Sequence, residues 1–354
     1  MTELPEIGKI SPEIFSELIF PRLGASSDKV LVGPQHGVDV GIVEIGNKAV
    51  SLTTDPVFIV PEYGWERAAW FAIHILASDS ATSGLKPAYL SIDLNLPMEI
   101  TREQLTIMWD TMHRECRKLG ITVVTGHTGR YENCHYPMVG GATVIGVGGK
   151  NEYVTPKLAH AGDKIIITKG PAIEAVGILA TMFPKLIEKE FGKAFSRKAE
   201  KIFYKMSVVE DAMTAIGVGV RDKGVTAMHD ATECGIWGGL HEFAQAAGLG
   251  VRIEKGAIVV EDCVTEICSY FGIDPYASIS EGTLIAACRP NKAQAVVNAL
   301  SRKGIKSSIV GELTEPKQGM VLVEKGKTKK LKHPIVDPFW KAFYGALQKY
   351  GGKG

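Results

Sequence analysis

No Cys-x-x-Cys pair occurs in this chain, and its six cysteines (Cys116, Cys134, Cys234, Cys263, Cys268, Cys288) are scattered irregularly over 354 residues. That leaves no disulfide framework to expect and reads as free thiols of a reducing compartment, so a cytoplasmic location is expected. No stretch approaches ~18 consecutive apolar residues, which argues against a membrane-spanning helix. Met1 to Lys9 lack a basic-then-apolar leader pattern. An excess of one charge is missing too. The 40 Lys and Arg against 39 Asp and Glu give a net charge of +1, so no overall pull toward nucleic acid or a membrane surface is expected. The basic cluster Lys325 to Lys332 reads as a solvated turn. Two common nucleotide signatures are absent as well: no G-x-x-x-x-G-K-[ST], and no G-x-G-x-x-G opening a helix. A nucleotide site here has to be of another kind.

What is present is an ordinary globular composition, 45% hydrophobic and 22% charged, in a chain long enough for two cores. Ser11 to Leu23 reads as a short helix. Val38 to Ile45 and Ala49 to Thr54 read as strands around a Gly46-Asn47 hairpin. Trp65 to Ser83 and Thr101 to Leu119 have helical periodicity, the second capped by Thr101 and stopped by Gly120. Ala88 to Leu96, Ile121 to Thr125 and Met138 to Val147 read as strands. A Gly-rich polar stretch, Gly146 to Thr155, marks a boundary. Beyond it the pattern predicts strands at Lys164 to Thr168, Val225 to His229, Thr283 to Ala287, Lys306 to Gly311 and Gly319 to Glu324. Helices are expected at Ala172 to Met182, Ser207 to Val218, Ile236 to Ala247, Val260 to Phe271 and Lys292 to Arg302, with a charged helical region at Lys185 to Met206. The expected division is 1-155, 156-335 and a C-terminal helix or tail at 336-354.

The features that carry chemistry are aspartates at element ends. Thr53-Thr54-Asp55 closes an apolar strand that Pro56 is expected to stop. Asp39 follows Gly37, and Asp79 sits in a helix of small apolar residues. Carboxylates beside Gly and Ser/Thr suit Mg2+, which takes one or two carboxylates plus substrate phosphates. Singly, each also fits a structural role: a turn cap for Asp39, a strand-end cap for Asp55, a solvated helix position for Asp79. Thr125-Gly126-His127-Thr128 follows an apolar strand and reads as a ligand loop or a plain polar loop. His229-Asp230-Ala231-Thr232-Glu233-Cys234-Gly235 turns from a strand into a helix, whose first N–H groups favour anions. His229, Cys234 and His241 fit no structural zinc spacing.

Taken in order, these segments resemble the aminoimidazole-ribonucleotide synthetase (PurM-like) superfamily, over about residues 30 to 325. Its relatives include selenophosphate synthetase, thiamine-monophosphate kinase and the hydrogenase-maturation protein that uses ATP to dehydrate a carbamoylated thiol. The resemblance runs through Gly37-Val38-Asp39, Thr53-Thr54-Asp55, Ser78-Asp79, Gly84-Leu85-Lys86-Pro87, Gly126-His127-Thr128, His229-Asp230-Ala231-Thr232, Gly282-Thr283-Leu284 and Ile309-Val310-Gly311-Glu312. It implies an α/β (α+β) fold of two domains. The N-terminal mixed sheet would pair in a homodimer, and the second domain would be an α/β sandwich. It also implies ATP as substrate and a metal, Mg2+ or Mn2+, on Asp39, Asp55 and Asp79. Departures accompany it: Pro34-Gln35-His36 replaces an acidic glycine segment, Ser78 replaces Asn, and His127 replaces a metal-holding carboxylate. Imidazole is softer and suits manganese or zinc better than magnesium. The absence of cysteine from Lys349 to Gly354 argues against the thiol-dehydrating role.

The expected function is therefore metal-dependent, ATP-using phosphoryl transfer that activates a small-molecule substrate. His127, Asp230 and Glu233 are candidate catalytic groups, and His127 is also a candidate ligand. Gly37, Thr53, Thr54, Gly126 and Thr128 are expected to bind phosphate. Two alternatives are a metal-dependent phosphatase or nucleotidase, and a noncatalytic nucleotide- or metal-binding subunit. Neither nucleic acid nor membrane is an expected partner.

Overall fold

The computed structural model describes residue 10 and residues 12–351. Met1 to Lys9, on which the expectation about a leader falls, the first residue of the Ser11 helix and the last three residues of the chain lie outside the described residues. The chain builds two mixed sheets with helices packed on them, one sheet in each half.

In the first half, α1 (Pro12–Ile14) continues through a π-turn and a 3-10 turn to Arg22. Six strands follow: β1 (Val30–Val32), β2 (Gly41–Ile45), β3 (Lys48–Phe58), β4 (Pro87–Leu96), β5 (Thr122–Arg130) and β6 (Met138–Gly149). Their order is β1-β2-β3-β6-β4-β5, antiparallel throughout except for β4 with β5. Two long helices, α2 (Trp65–Thr82) and α3 (Arg102–Leu119), complete this half. Thr101 and Gln104 form a reciprocal capping box at the start of α3, and Gly120 closes it in the left-handed conformation. Helix α2 is rich in alanine and is buried on most of its circumference, including Ala68, Ala72, Leu76, Ala77 and Ala81. A helix apolar all round has to be covered on every side. Its small side chains let β3 and β6 approach from one side and elements of the second half from the other.

The second half contains β7 (Lys164–Thr168), β8 (Val225–Ala231), β9 (Gly250–Glu254), β10 (Thr283–Cys288), β11 (Ser307–Thr314), β12 (Met320–Glu324) and β13 (Lys327–Lys330). The order is β13-β12-β9-β11-β7-β10-β8, with only β12 and β9 parallel. Helices α4 (Ile173–Met182), α5 (Pro184–Phe191), α6 (Lys193–Glu200), α7 (Val209–Ile216), α8 (Gly235–Ala247), α9 (Val264–Phe271), α10 (Pro290–Arg302) and α11 (Pro338–Tyr350) surround it. Strand β8 is at one edge of its sheet, yet it is buried along its whole length because α8 and the α2 of the first half cover it. The two halves are also tied by polar contacts. Ser78 Oγ accepts from Val208 N at 3.0 Å, and His74 Nδ1 meets Ser207 Oγ at 2.9 Å.

Several expectations are corrected. Pro56 does not stop its strand: β3 continues to Phe58, with a register shift between Pro56 and Phe58 that absorbs the missing ladder donor. Residues Thr125 to Arg130 are not a loop but the second half of β5, paired to β4 through Asp93 and His127. The basic run at Lys325 to Lys332 is a hairpin arm, since β13 pairs with β12 and its side chains are all exposed. The charged region at Lys185 to Met206 is broken at Gly192, whose φ of 87° ends α5. Strand β9 was not anticipated, because Gly250-Val251-Arg252-Ile253-Glu254 is short and opens on glycine. No helix among the described residues is long and apolar enough to cross a membrane.

Candidate functional site

A cleft of ≈ 470 Å³ lies between the two halves. Its walls come from the Pro34 to Gly41 segment, from β3 at Leu52 to Asp55, and from Asp79, His229, Asp230, Thr232 and Glu242. Period-2 alternation along β3 turns Thr53 inward and leaves Thr54 exposed. Thr53 Oγ1 reaches Asp79 Oδ2 at 3.4 Å and Asp55 Oδ2 at 3.5 Å. The Thr54 hydroxyl instead faces Thr143 across the sheet at 2.8 Å, so it touches the cleft only at its margin. Asp79 is in the last turn of α2, where the helix dipole is unfavourable to a negative charge.

The glycine segment reaches the second half at one point. Gly37 has φ +71°, and a Cβ there would lie 2.3 Å from the carbonyl oxygen of Glu242 on α8. Only glycine permits both the conformation and the approach. This brings Asp39 to His229 on β8: Nδ1 lies 2.9 Å from both carboxylate oxygens. The other ring nitrogen, Nε2, is 3.2 Å from Glu242 Oε2.

The electrostatics follow from four carboxylates in one place. Burial pushes Asp79 well above the usual carboxylate range, and Asp230, Asp55 and Asp39 push it further. Asp230 is pushed up to about 7, first by burial and then by Asp39, with His229 opposing. For His229, burial alone lowers the pKa, but Asp39 and Glu242 outweigh it and the imidazole is held well above its usual value. Asp230 Oδ2 is buried and has no hydrogen-bond partner. Concentrated carboxylates with an unpartnered buried oxygen are a donor set that fits a divalent cation bound through oxygen. Among the described residues, Asp39, His229 and Asp230 form the one group of three whose ligating atoms all lie within 4.8 Å of one another.

Asp39, Asp55, Asp79, Gly37, Thr53 and Asp230 therefore converge, with Thr54 at the edge. Gly126, His127 and Thr128 do not. They are on β5, separated from β3 by β6 and β4, and His127 is exposed with Nε2 2.5 Å from Tyr131 Oη. Glu233 is exposed on the turn into α8, outside the residues lining the cleft. Cys234 is buried, its thiol donating to Pro334 O at 2.9 Å and pushed up to about 12 by burial and Asp337. His241 meets Leu331 O at 3.0 Å. Sequence reasoning placed His229 at the end of a strand leading into a turn, without a role in this cleft, and missed Glu242 altogether. The signal for His229 was its place beside Asp230. Nothing local announced a partner 190 residues earlier.

Two family models cover this chain: the N-terminal domain of AIR synthase related proteins over residues 37–148 and the C-terminal domain over residues 160–324. Carbamoyl dehydratase HypE of Escherichia coli is 29% identical over 250 residues, which is 68% of each chain. The crystal structure of E. coli HypE, a hydrogenase maturation protein, superposes with a TM-score of 0.68 at 26% identity, covering 82% of this chain and 87% of that one. A HypE structure in complex with ATP covers 94% of this chain and 97% of its own at 20% identity, with a TM-score of 0.65. ThiL complexed with AMPPCP and TMP has a TM-score of 0.64 at 20% identity, covering 82% and 88%. Both of these share the fold.

Proposed function

The chain belongs to the AIR synthase related protein family, and from that premise we propose that it is an ATP-using enzyme whose cleft between the two halves takes the nucleotide phosphates and a divalent ion. One observation carries the reading. Asp39, Asp55, Asp79 and Asp230 come together from both halves of the chain, and Asp230 keeps a buried oxygen without a partner. Four carboxylates at close quarters repel one another, and that repulsion is relieved by taking up a proton or by a bound cation. ATP complexes of HypE support the nucleotide half of the proposal.

A divalent ion, Mg2+ or Mn2+, would neutralise the phosphate charge and polarise the transferred group. Asp39, Asp55, Asp79 and Asp230 would hold it. Thr53 has its hydroxyl at Asp55 and Asp79 and would donate to a phosphate oxygen. The backbone at Gly37 packs directly on α8 and so fixes the glycine segment as one wall of the cleft, where it is proposed to meet phosphate. The acceptor is a small molecule whose oxygen is activated by phosphoryl transfer. We place the domains at 1-155, 156-335 and 336-354. The protein acts as a homodimer formed along β5, an edge strand with exposed Val123, Val124 and Tyr131. His127 and Thr128 have their role at that edge.

Calorimetry with ATP and either ion, together with product release, tests the reading. Metal-dependent ATP binding and slow ADP formation are expected. Neither binding nor turnover would overturn it, and metal-dependent hydrolysis of simple phosphate esters without ATP would replace it with a phosphatase.

A further inference from the structure

Glu242 donates nothing; as a carboxylate it accepts the Nε2–H of His229 across 3.2 Å. In the neutral ring, a proton held on Nε2 by Glu242 leaves the Nδ1 lone pair available to the cleft. The same Nδ1 stands 2.9 Å from both oxygens of Asp39. A lone pair facing a carboxylate at that distance needs a positive centre between them, either a proton or a metal ion. The spacing is that of an N–H···O hydrogen bond and equally that of two adjacent ligands on an octahedral ion, whose bonds of about 2.1 Å set neighbouring donor atoms about 3 Å apart. Asp230 completes the set, with its donor atom inside the same 4.8 Å envelope and its buried Oδ2 unpartnered. All three residues line the cleft, so an ion has a path to them.

We propose that His229 is a metal ligand through Nδ1, forming with Asp39 and Asp230 a mixed imidazole–carboxylate position that prefers a transition ion to Mg2+. Glu242 is a positioning residue that holds the ring. An entering ion takes the place of the Nδ1 proton, which leaves to solvent. Imidazole nitrogen raises affinity for ions of the zinc and cobalt kind, whereas carboxylate oxygens alone suit magnesium. This inference rests on the proposed metal-holding role of the cleft and adds the ion's identity and its nitrogen ligand.

The test is titration of the full chain with Co2+ and with Mg2+, without nucleotide, followed by proton NMR of the Co2+ form in water. A cobalt-bound histidine that keeps its Nε2–H gives one exchangeable, strongly shifted resonance that vanishes in deuterium oxide. That resonance is expected in the wild type and in His36→Asn, the other cleft histidine, and not in His229→Asn. Co2+ affinity should fall about tenfold or more in His229→Asn, with Mg2+ affinity changed less than about threefold. Should His229→Asn not fold, Glu242→Gln serves, with a displaced resonance and Co2+ binding weakened about tenfold. Co2+ binding without the resonance, or a resonance retained in His229→Asn, overturns the inference and leaves the nucleotide reading standing. Failure of both ions to bind, with or without ATP, overturns both.

Discussion

Glu115 on α3 and the pair Asp79 and Asp230 are all acidic groups covered by protein in or against the first half of the chain, yet their surroundings push them in opposite directions. Glu115 is held down at about 2, first by the hydrogen bond from His74 and then, against burial, by Lys118. His74 itself is lowered by burial; its Nε2 meets Glu115 at 3.4 Å and its Nδ1 meets Ser207. Asp79 and Asp230 have one another, Asp39 and Asp55 for neighbours, and both are raised. The first arrangement supplies donors to each acceptor and joins α2, α3 and the second half. The second leaves acceptors facing acceptors. A fold keeps that kind of frustration where a cation or ligand is meant to resolve it.

The contrast can be broken most sharply at Asp79. Asp79→Asn should lower ATP turnover by about 10²- to 10³-fold, as expected for removing a group that stabilises transferred charge. The apo protein should melt no lower, because a repulsive contact is lost. A marked drop in the melting temperature of the apo variant would mean that Asp79 is structural and would undo the comparison.

Glu115→Gln should do the reverse, leaving turnover nearly intact while lowering stability in urea by about 2–3 kcal/mol, less than the full displacement because Arg114 and Lys118 reach into solvent. Its pH signature has a definite sign. The Glu115 pKa is lower folded than unfolded, so its stabilisation is complete above about 4.5 and is lost as pH falls toward about 2. The variant's stability should change less than the wild type's across that window.

A comparable effect is expected from metal itself. Mg2+ or Mn2+ at about 100 times its dissociation constant should stabilise the wild type by about 2.7 kcal/mol, read as a rise in melting temperature. Asp230→Asn should abolish most of that rise, while Glu115→Gln should keep it. Smallest of all, His127→Ala should leave metal affinity within about twofold, since His127 is on the far edge of the sheet. A large loss there would mean that a partner chain brings β5 to the cleft.

Much of this was legible along the chain. The strand–helix alternation, the capping of α3, the hairpin at Gly46-Asn47 and the order of the aspartate segments are local or ordered signals, and the family resemblance rests on them. What was not legible involves separations no local pattern carries. Strand β5 runs through Thr125-Gly126-His127 because its backbone pairs with β4, and glycine there reads as loop until a partner strand is known. Pro56 stays inside β3 because a bulge takes up its missing donor.

The aspartates at Asp39, Asp55 and Asp79, with Asp230 after them, were determined by the sequence alone as candidates, because residue type and order are all that a resemblance requires. Tertiary structure decided which of the candidates meet. It removed His127 and Glu233 from the cleft and added His229 and Glu242, because polar interaction depends on distance in space and Asp39 finds its partner, His229, on a strand 190 residues away.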